Sequence, residues 1–202
     1  MDNLKNTPQS DEELAEDLKR GSMESFKILY ERYKLKIYNY LCHLLGDRSM
    51  AEDCTQDLFI QMYHKASLYH PTAKFSSWLY KMAKNIALDA FRKNKIRKSI
   101  SLDKPLYDEE SGVSSVSLND LLPAQGQDPA LLASNHELAA LLEKAISQLS
   151  EKDREIIVLC DIQGLPHKEA GDILGCSEQT LTVKLYRARK KLAEILKIKG
   201  DF

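Results

Sequence analysis

Near the end of the chain, basic and polar residues recur at helical spacing. They are Thr180, Lys184, Arg187 and Lys191, at intervals of four, three and four residues. Apolar residues recur on a different face of the same segment, at Leu181, Leu185, Ala188, Leu192 and Ile195. A helix with these two faces can pack on its own module and bind DNA phosphates in a major groove. An ordinary solvated helix is the alternative, because charge runs alone often have no binding role.

The surrounding segment, residues 165–189, favours DNA binding over that alternative. A short helical stretch is followed by a turn that opens with Gly175, and Ser177 is a suitable N-cap for the longer basic helix. A short helix, a three-residue turn and a second helix form the layout of a helix-turn-helix. The sequence therefore predicts a DNA-binding module at this end of the chain.

The net charge conceals two basic blocks. The chain of 202 residues has 29 Lys and Arg against 30 Asp and Glu, a net charge of −1. Residues 74–98 nevertheless carry a net +7 and residues 184–199 a net +6, while residues 101–137 carry a net −6. Two basic blocks on either side of an acidic, Ser-, Gly- and Pro-containing stretch predict two modules and a flexible linker.

Helical periodicity and few Gly and Pro predict an all-α fold of two small helical domains. In the first, of four helices, Ser10 and Glu13 form a capping-box pattern, Ser22 caps a long second helix, and Gly46 ends it. A third helix ends at the turn 70–72, and a fourth begins at Ser76 or Ser77. In the second domain we expect helices at 137–148, 151–163, 167–174 and 178–197. The predicted boundaries are 1–98, 99–136 and 137–202, and the middle range is the linker.

The third helix has a compact face of acidic and amide residues, which suits a basic partner surface. Its members are Glu52, Asp53, Gln56, Asp57 and Gln61. A solvated face with no partner is the alternative.

Enzyme chemistry has little support. His43, His64, His70 and the four cysteines lack the spacing of metal ligands, and the chain has no Gly-rich phosphate loop or nucleophile elbow. We therefore expect no catalytic residue, no metal and no cofactor, and a stand-alone helix-turn-helix regulator is the stronger competing hypothesis. The absence of a signal-peptide pattern, of a membrane-length apolar run and of paired cysteine motifs predicts a cytoplasmic protein with reduced thiols.

Three segments together resemble a known family. Residues 166–177 read PHKEAGDILGCS and residues 185–192 read LYRARKKL, and both look like domain 4 of extracytoplasmic-function (ECF) sigma factors. Residues 51–60, AEDCTQDLFI, resemble the region 2 signature of that family, and residues 75–89, FSSWLYKMAKNIALD, its promoter-melting element. Thr182 stands where the family usually has a cation, and Gly171 where it usually has Ala.

The resemblance implies a non-catalytic subunit that binds core RNA polymerase and directs promoter-specific initiation. It implies contacts with the −35 element from His167, Lys168, Glu178, Gln179, Thr180, Thr182, Val183, Lys184 and Arg187. It implies contacts with the −10 element from Tyr69, Lys74, Lys81, Lys84, Asn85, Arg92 and Lys93, with Tyr69 and Asn85 at the pocket for a flipped base.

The same resemblance implies the protein partners. Asp53, Gln56 and Asp57 would contact the β′ clamp helices of core RNA polymerase, and the β subunit is a further expected partner. The linker would thread the polymerase cleft, with a simple tether as the alternative. An anti-sigma factor is an expected partner, and no membrane insertion is expected.

Overall fold

A computed structural model of the protein describes residues 9–100 and 129–199, which fold into eight α-helices without any strand. The N-terminal module comprises α1 (Asp11–Lys19), α2 (Met23–Leu45), α3 (Arg48–His64) and α4 (Phe75–Ile100). The C-terminal module comprises α5 (Pro129–Ser147), α6 (Glu151–Ile157), α7 (His167–Leu174) and α8 (Glu178–Lys199). A π-helical stretch, Val158–Ile162, continues α6. The predicted all-α class is confirmed.

Local signals set the ends of α1 and α2 as the sequence predicts. The Ser10 hydroxyl accepts the backbone N–H of Glu13 at 3.2 Å, and the Glu13 carboxylate accepts the N–H of Ser10 at 2.9 Å. This reciprocal pair satisfies two backbone donors that a helix start leaves free. Ser22 caps α2 through the N–H of Ser25 at 3.2 Å, and Gly46 ends it in the left-handed conformation at φ 67°.

The segment between α3 and α4 differs from the prediction at both ends. Helix α3 ends at His64, before the predicted turn, and a short 3-10 helix, Ala66–Leu68, follows it. Helix α4 begins at Phe75 rather than after a Ser76 or Ser77 cap. A carboxylate oxygen of Glu12, on α1, accepts the Phe75 N–H at 3.2 Å. The cap therefore comes from a distant helix, which local pattern cannot reveal.

The core of the N-terminal module lies where its four helices meet. Fully buried apolar side chains from all four helices fill it: Leu14, Leu29, Ile37, Leu41, Leu58, Met62, Phe75 and Leu79. Aromatic edges add directional contacts, with the Tyr33 and Phe75 rings 5.6 Å apart and the Tyr40 and Tyr80 rings 5.2 Å apart. This packing holds α3 and α4 side by side with their polar faces outward.

One continuous cluster of buried apolar side chains runs through both modules, and α6, α7 and α8 contribute its C-terminal part. The buried apolar side chains of that part are Ile157, Val158, Leu159, Ala170, Ile173, Leu181, Leu185 and Ala188. Helix α5 begins at Pro129, so residues 129–136, predicted to belong to an extended linker, are helical. Proline suits the first turn of a helix because its missing N–H would be unpaired there. The rest of the predicted linker lies outside the described residues, and the predicted domain boundaries stay predictions.

The two modules are in direct contact. Helix α4 packs against α7, and α2 packs against α6 and the π-helical stretch. Within the described ranges, no helix combines the length and apolar character that crossing a lipid bilayer requires.

Candidate nucleic-acid interface

A close backbone approach shapes the turn between α7 and α8. Gly175 ends α7 in the left-handed conformation at φ 67°, and its N–H donates to the Gly171 carbonyl. The Cys176 N–H donates to the same carbonyl at 3.0 Å. A Cβ at position 171 would lie 2.7 Å from the Cys176 carbonyl oxygen, so only glycine fits there without a shift. Ser177 then caps α8, accepting the Thr180 N–H at 3.3 Å.

Helix α8 separates its apolar and polar faces as the sequence predicts. Leu181, Leu185 and Ala188 are at most 2% exposed. The predicted −35 residues on this helix are all exposed: Glu178, Gln179, Thr180, Thr182, Val183, Lys184 and Arg187. Val183 is 51% exposed. These side chains occupy the solvent-exposed circumference of α8, away from its core face.

Helix α7 adds the other two residues predicted to contact the −35 element. Lys168 is exposed, whereas His167 is half-buried against α8. The His167 ring nitrogen Nδ1 lies 3.3 Å from the Thr182 hydroxyl, which also lies 3.0 Å from the Glu178 carbonyl oxygen. The contact ties the start of α7 to the exposed face of α8.

Two cations of the basic block pair within their own module. The Arg189 guanidinium forms a two-point ion pair with Asp161, and Lys191 Nζ lies 2.6 Å from an Asp153 carboxylate oxygen. Partial burial would raise the pKa of Asp153, but hydrogen bonds from Lys191 and Ser150 outweigh it and lower that pKa. Lys191 thus braces α8 against α6, and the predicted four-residue stripe is shorter at that end.

Sequence reasoning missed two side chains on the exposed face of α8. Tyr186 is 70% exposed and Lys190 is also exposed. Both lie about opposite Leu181, Leu185 and Ala188, since each residue turns the helix by about 100°. The helical period was therefore sufficient to find them.

The predicted −10 residues on and before α4 differ in how exposed they are. Lys74, Lys81, Asn85, Arg92 and Lys93 are exposed. Lys81, Asn85 and Arg92 recur at four and seven residues and share one helical face. Lys74 is 3.9 Å from Glu12, and Arg92 pairs with Asp89 at 3.0 Å. Both pairs are largely solvated, so DNA phosphates can compete for these cations. Lys84 differs from these residues, because its side chain is half-buried against the C-terminal module.

Tyr69, which is predicted to line the pocket for a flipped base, is buried in this structure. Its side chain is 1% exposed, and its hydroxyl donates to the Ala73 carbonyl at 2.8 Å. The ring packs between Phe75 and Trp78, with centroids 5.7 and 5.6 Å away. Burial, together with nearby carboxylates, raises the pKa of Tyr69 to about 12. Its aromatic neighbours make the residue part of the core, where it shapes the loop before α4.

The acidic face of α3 borders a groove. Asp53, Gln56 and Asp57 are exposed, and the two aspartates line a cavity of about 780 Å³ between α3 and α4. On the adjoining surface, Ile60 is 57% exposed and Tyr63 is 43% exposed. Neither was predicted as a contact. The Tyr63 ring also packs on Phe26 and His64, with centroids 5.8 and 5.7 Å apart.

Comparison with known proteins identifies the family. Residues 29–96 match Sigma-70 region 2, and residues 139–192 match Sigma-70, region 4. The ECF RNA polymerase sigma factor SigW of Bacillus subtilis (strain 168) is 31% identical over 180 residues, which cover 89% of this chain and 93% of that protein. The chain belongs to the ECF sigma factor family.

Other relatives agree with this assignment. The RNA polymerase sigma-H factor of Pseudomonas aeruginosa is 26% identical and covers 94% of this chain and 95% of that protein. The ECF RNA polymerase sigma-E factor of Escherichia coli (strain K12) is 25% identical and covers 91% of this chain and 92% of that protein. An ECF sigma factor is a regulatory subunit that directs transcription initiation, rather than a catalyst.

Solved structures show the same fold. CnrH in complex with the cytosolic domain of CnrY aligns with a TM-score of 0.66 at 21% identity, over 95% of this chain and all of that chain. The sigma factor RpoE of Bartonella quintana, solved with the anti-sigma factor NepR, aligns with a TM-score of 0.64 at 22% identity, over 88% of this chain and all of that chain.

The described part of this sigma factor contains all four cysteines of the sequence. No group of three or more His, Cys, Asp or Glu residues in it is arranged to hold a metal ion. Cys42, Cys54, Cys160 and Cys176 are all free thiols. Burial raises the pKa of Cys42 and Cys54, and raises that of Cys160 to about 11.

Proposed function

We propose that the exposed face of α8 recognises the −35 promoter element in the major groove. Lys184 and Arg187 supply the cations for phosphate or guanine contacts, and Thr180 and Val183 supply a hydroxyl and a methyl surface. The supporting observation is that this face is solvent-exposed while the opposite face forms the module core. Thr182 stands where the family resemblance implies a cation, and its hydroxyl lies 3.3 Å from Nδ1 of His167 at the start of α7.

The N-terminal module is proposed to bind and open the −10 element. Opening a duplex requires cations that hold the displaced strand and polar groups that capture an unstacked base. Lys81 and Arg92 meet the first need, and Asn85 lies between them on the same exposed face. Tyr69 is proposed to line the pocket for the flipped base, and its hydrogen bond to the Ala73 carbonyl supports the loop before α4.

The surface of α3 is proposed to dock on the β′ clamp helices of core RNA polymerase. Asp53, Gln56 and Asp57 are exposed and contiguous, and they carry the charge that a basic partner helix requires. Ile60 and Tyr63 extend this surface with apolar area, which supplies affinity that charge alone does not. The β subunit is a further proposed contact.

An anti-sigma factor is proposed as a regulatory partner. Two structures of similar fold were solved with the proteins CnrY and NepR, and NepR is an anti-sigma factor. In this chain, the groove between α3 and α4 has an acidic rim and an apolar floor that includes Ile86 and Ala90. A basic amphipathic helix matches this groove by charge and apolar area.

One reconstitution tests the central proposal. The purified chain is mixed with core RNA polymerase, and promoters are recovered by sequencing the genomic DNA that the complex retains. We expect co-elution at micromolar concentration and runoff transcription that starts at the recovered promoters. Failure to form a complex with core polymerase contradicts the proposal. Binding of a duplex operator without polymerase, and no runoff activity, indicates a stand-alone regulator instead.

A further inference from the structure

Both ends of the loop before α4, residues 69–74, contact the same short helix, α1. At the far end, a carboxylate oxygen of Glu12 accepts the Phe75 N–H at 3.2 Å. At the near end, Lys19 Nζ lies over the Tyr69 ring, 5.4 Å from its centroid. The loop therefore runs between two points that α1 holds, although α1 is distant along the chain.

The Glu12 carboxylate lies at the N-terminus of α4. The first four N–H groups of a helix have no acceptor within the helix, and an anion there also interacts favourably with the helix dipole. The Glu12 side chain is 32% exposed, and one of its oxygens lies 3.9 Å from Lys74 Nζ. One side chain of α1 thus contacts both the first backbone amide of α4 and the cation that precedes it.

The Lys19 ammonium acts at the other end of the loop. It pairs with Glu16, one turn earlier on α1, at 2.7 Å, and the Lys19 side chain is 20% exposed. A cation over an aromatic face is attracted by the quadrupole of the ring, and the attraction strengthens as the cation loses water. The contact therefore holds the Tyr69 ring against α1.

Helix α1 is itself anchored to the module core and to α2. Leu14 and Leu18 are at most 3% exposed. Arg32 Nη1, on α2, lies 2.6 Å from one Asp11 carboxylate oxygen, and the Tyr33 hydroxyl donates to the other. Because α1 is fixed in this way, its contacts with the loop fix the loop relative to the rest of the module.

Contacts inside the loop connect its two ends. The Tyr69 hydroxyl donates to the Ala73 carbonyl at 2.8 Å, and the Ala73 N–H donates to the His70 carbonyl at 3.4 Å. The Tyr69 ring also packs on the rings of Phe75 and Trp78, in the first turn of α4. A displacement of the Phe75 amide is therefore passed to the Tyr69 ring.

We propose that Glu12 and Lys19 are positioning residues that place the loop before α4 for capture of a −10 base. The inference rests on the proposed −10 function, in which Tyr69 and Lys74 are contacts, and it adds two residues that act through the loop rather than on DNA. Helix α1 precedes residues 29–96, the segment that matches Sigma-70 region 2. A helix outside the matched segment thus controls how that segment receives the base.

Hydrogen exchange of the Phe75 amide in the free chain, followed by NMR, tests the positioning without DNA. Glu12→Met keeps the length of the side chain but removes the acceptor, whereas Glu12→Gln keeps an acceptor oxygen. We expect exchange to be about 3–30 times faster in Glu12→Met, because the loss of a helix cap changes local opening by about that factor. Glu12→Gln should stay within about threefold of the wild type, since a neutral acceptor still satisfies the amide.

Asp17→Ala is the matched control for the exchange measurement. It removes the same charge from the same helix, where Asp17 forms only a largely solvated pair with Arg20. We expect no acceleration of exchange at Phe75. Wild-type exchange in Glu12→Met, or equal acceleration in Glu12→Met and Asp17→Ala, overturns the positioning role.

Separate measurements of binding and opening test the consequence in the polymerase complex. The probe is a promoter recovered by the reconstitution above, with a fluorescent base analogue in its −10 segment. We expect Glu12→Met and Lys19→Met to slow opening by about threefold or more, because base capture falls with the fraction of correctly placed loops. Core affinity and retention of the closed duplex should stay within about twofold of the wild type, and Glu12→Gln should restore opening.

Two results of the opening experiment overturn the proposal. One is opening at the wild-type rate in Glu12→Met and Lys19→Met. The other is an equal loss of core affinity and of opening, which indicates general unfolding of the module. Failure of the proposed function has a different signature, in which the wild-type chain forms no polymerase complex while the exchange results are as expected.

Discussion

Gly171 and Cys176 are in backbone contact across the turn of the helix-turn-helix. The Gly171 carbonyl accepts the Cys176 N–H at 3.0 Å, and a side chain at position 171 would start 2.7 Å from the Cys176 carbonyl oxygen. From sequence alone, glycine inside α7 is only a weakness that costs up to about 1 kcal/mol relative to Ala. The structure gives it a role, since it lets the turn fold back on α7 and sets the position of α8.

The first prediction concerns Gly171→Ala. At a helix position with space around it, replacing Gly with Ala stabilises the helix. At position 171 the added methyl group meets a backbone oxygen that cannot rotate away. We expect the free energy of unfolding of the C-terminal module to fall by about 1–3 kcal/mol, as for other overpacked sites. Thermal unfolding followed by circular dichroism measures this as a lower Tm. Asp172→Ala, at the exposed next position, is the control and should be neutral or stabilising by up to about 0.7 kcal/mol. A higher Tm for Gly171→Ala would contradict the close approach of position 171 to the Cys176 carbonyl oxygen.

Short-range features of the fold could be predicted from the sequence because their causes are short-range. Ser10 and Glu13 cap α1 within one turn. Gly175 ends α7 and Ser177 caps α8, only two residues later. The apolar spacing of Leu181 and Leu185 likewise determines which face of α8 is buried. Each of these signals is complete within a few residues.

Three departures from prediction involve partners far along the chain. The start of α4 depends on Glu12, which is 63 residues away from Phe75. Lys191, part of the predicted basic stripe, is paired with Asp153 of another helix. Lys84 is engaged by Glu155 of the other module. No local pattern contains this information, so site residues could be predicted by type and face but not by availability.

The second prediction separates two arginines of α8 that differ in their partners. Arg187 is exposed on the proposed −35 face, whereas Arg189 is held by Asp161. In the polymerase complex, Arg187→Ala should weaken promoter binding by about fivefold or more and reduce the dependence of log affinity on log salt by about one unit. The measurement is a titration of promoter DNA at several salt concentrations.

Arg189→Ala is the matched control for that titration. It removes the same charge, but the Asp161 pair is largely exposed and stabilises by less than about 1 kcal/mol. We expect an almost unchanged salt dependence and a small decrease in stability. Equal losses for both variants would mean that charge alone, rather than the face of α8, governs binding.

The third prediction concerns the proposed polymerase-docking surface. Asp57→Asn removes a carboxylate but keeps its size, and Tyr63→Ser removes exposed aromatic area on the same surface. We expect each substitution to weaken binding to core RNA polymerase by about 1–2 kcal/mol, or about five- to thirtyfold. The reason is that each removes a group that would contact polymerase in the docked complex. Competition against a labelled wild-type chain measures the affinity.

Glu31→Gln is the control for this surface. Glu31 is an exposed acid on α2 whose ion pair with Lys34 is solvated. Its substitution should leave polymerase affinity within about twofold of the wild type. If it weakens binding as much as Asp57→Asn does, the effect is one of net charge rather than of the α3 surface.

The fourth prediction concerns thiol reactivity at Cys160. Burial first, and then the neighbouring Asp161 carboxylate, raise its pKa to about 11, although Arg189 acts in the opposite direction. The thiolate is the reactive form, so at pH 7.5 only about 0.03% of Cys160 is reactive, against about 10% of an ordinary thiol of pKa 8.5. Alkylation of Cys160, followed by mass spectrometry of its peptide, should be slow and rise about tenfold per pH unit up to about pH 11. Asp161→Asn should accelerate it, because the variant removes a negative neighbour and leaves Arg189 free to stabilise the thiolate. Modification at pH 7.5 as fast as that of a cysteine in an unfolded peptide would contradict the raised pKa.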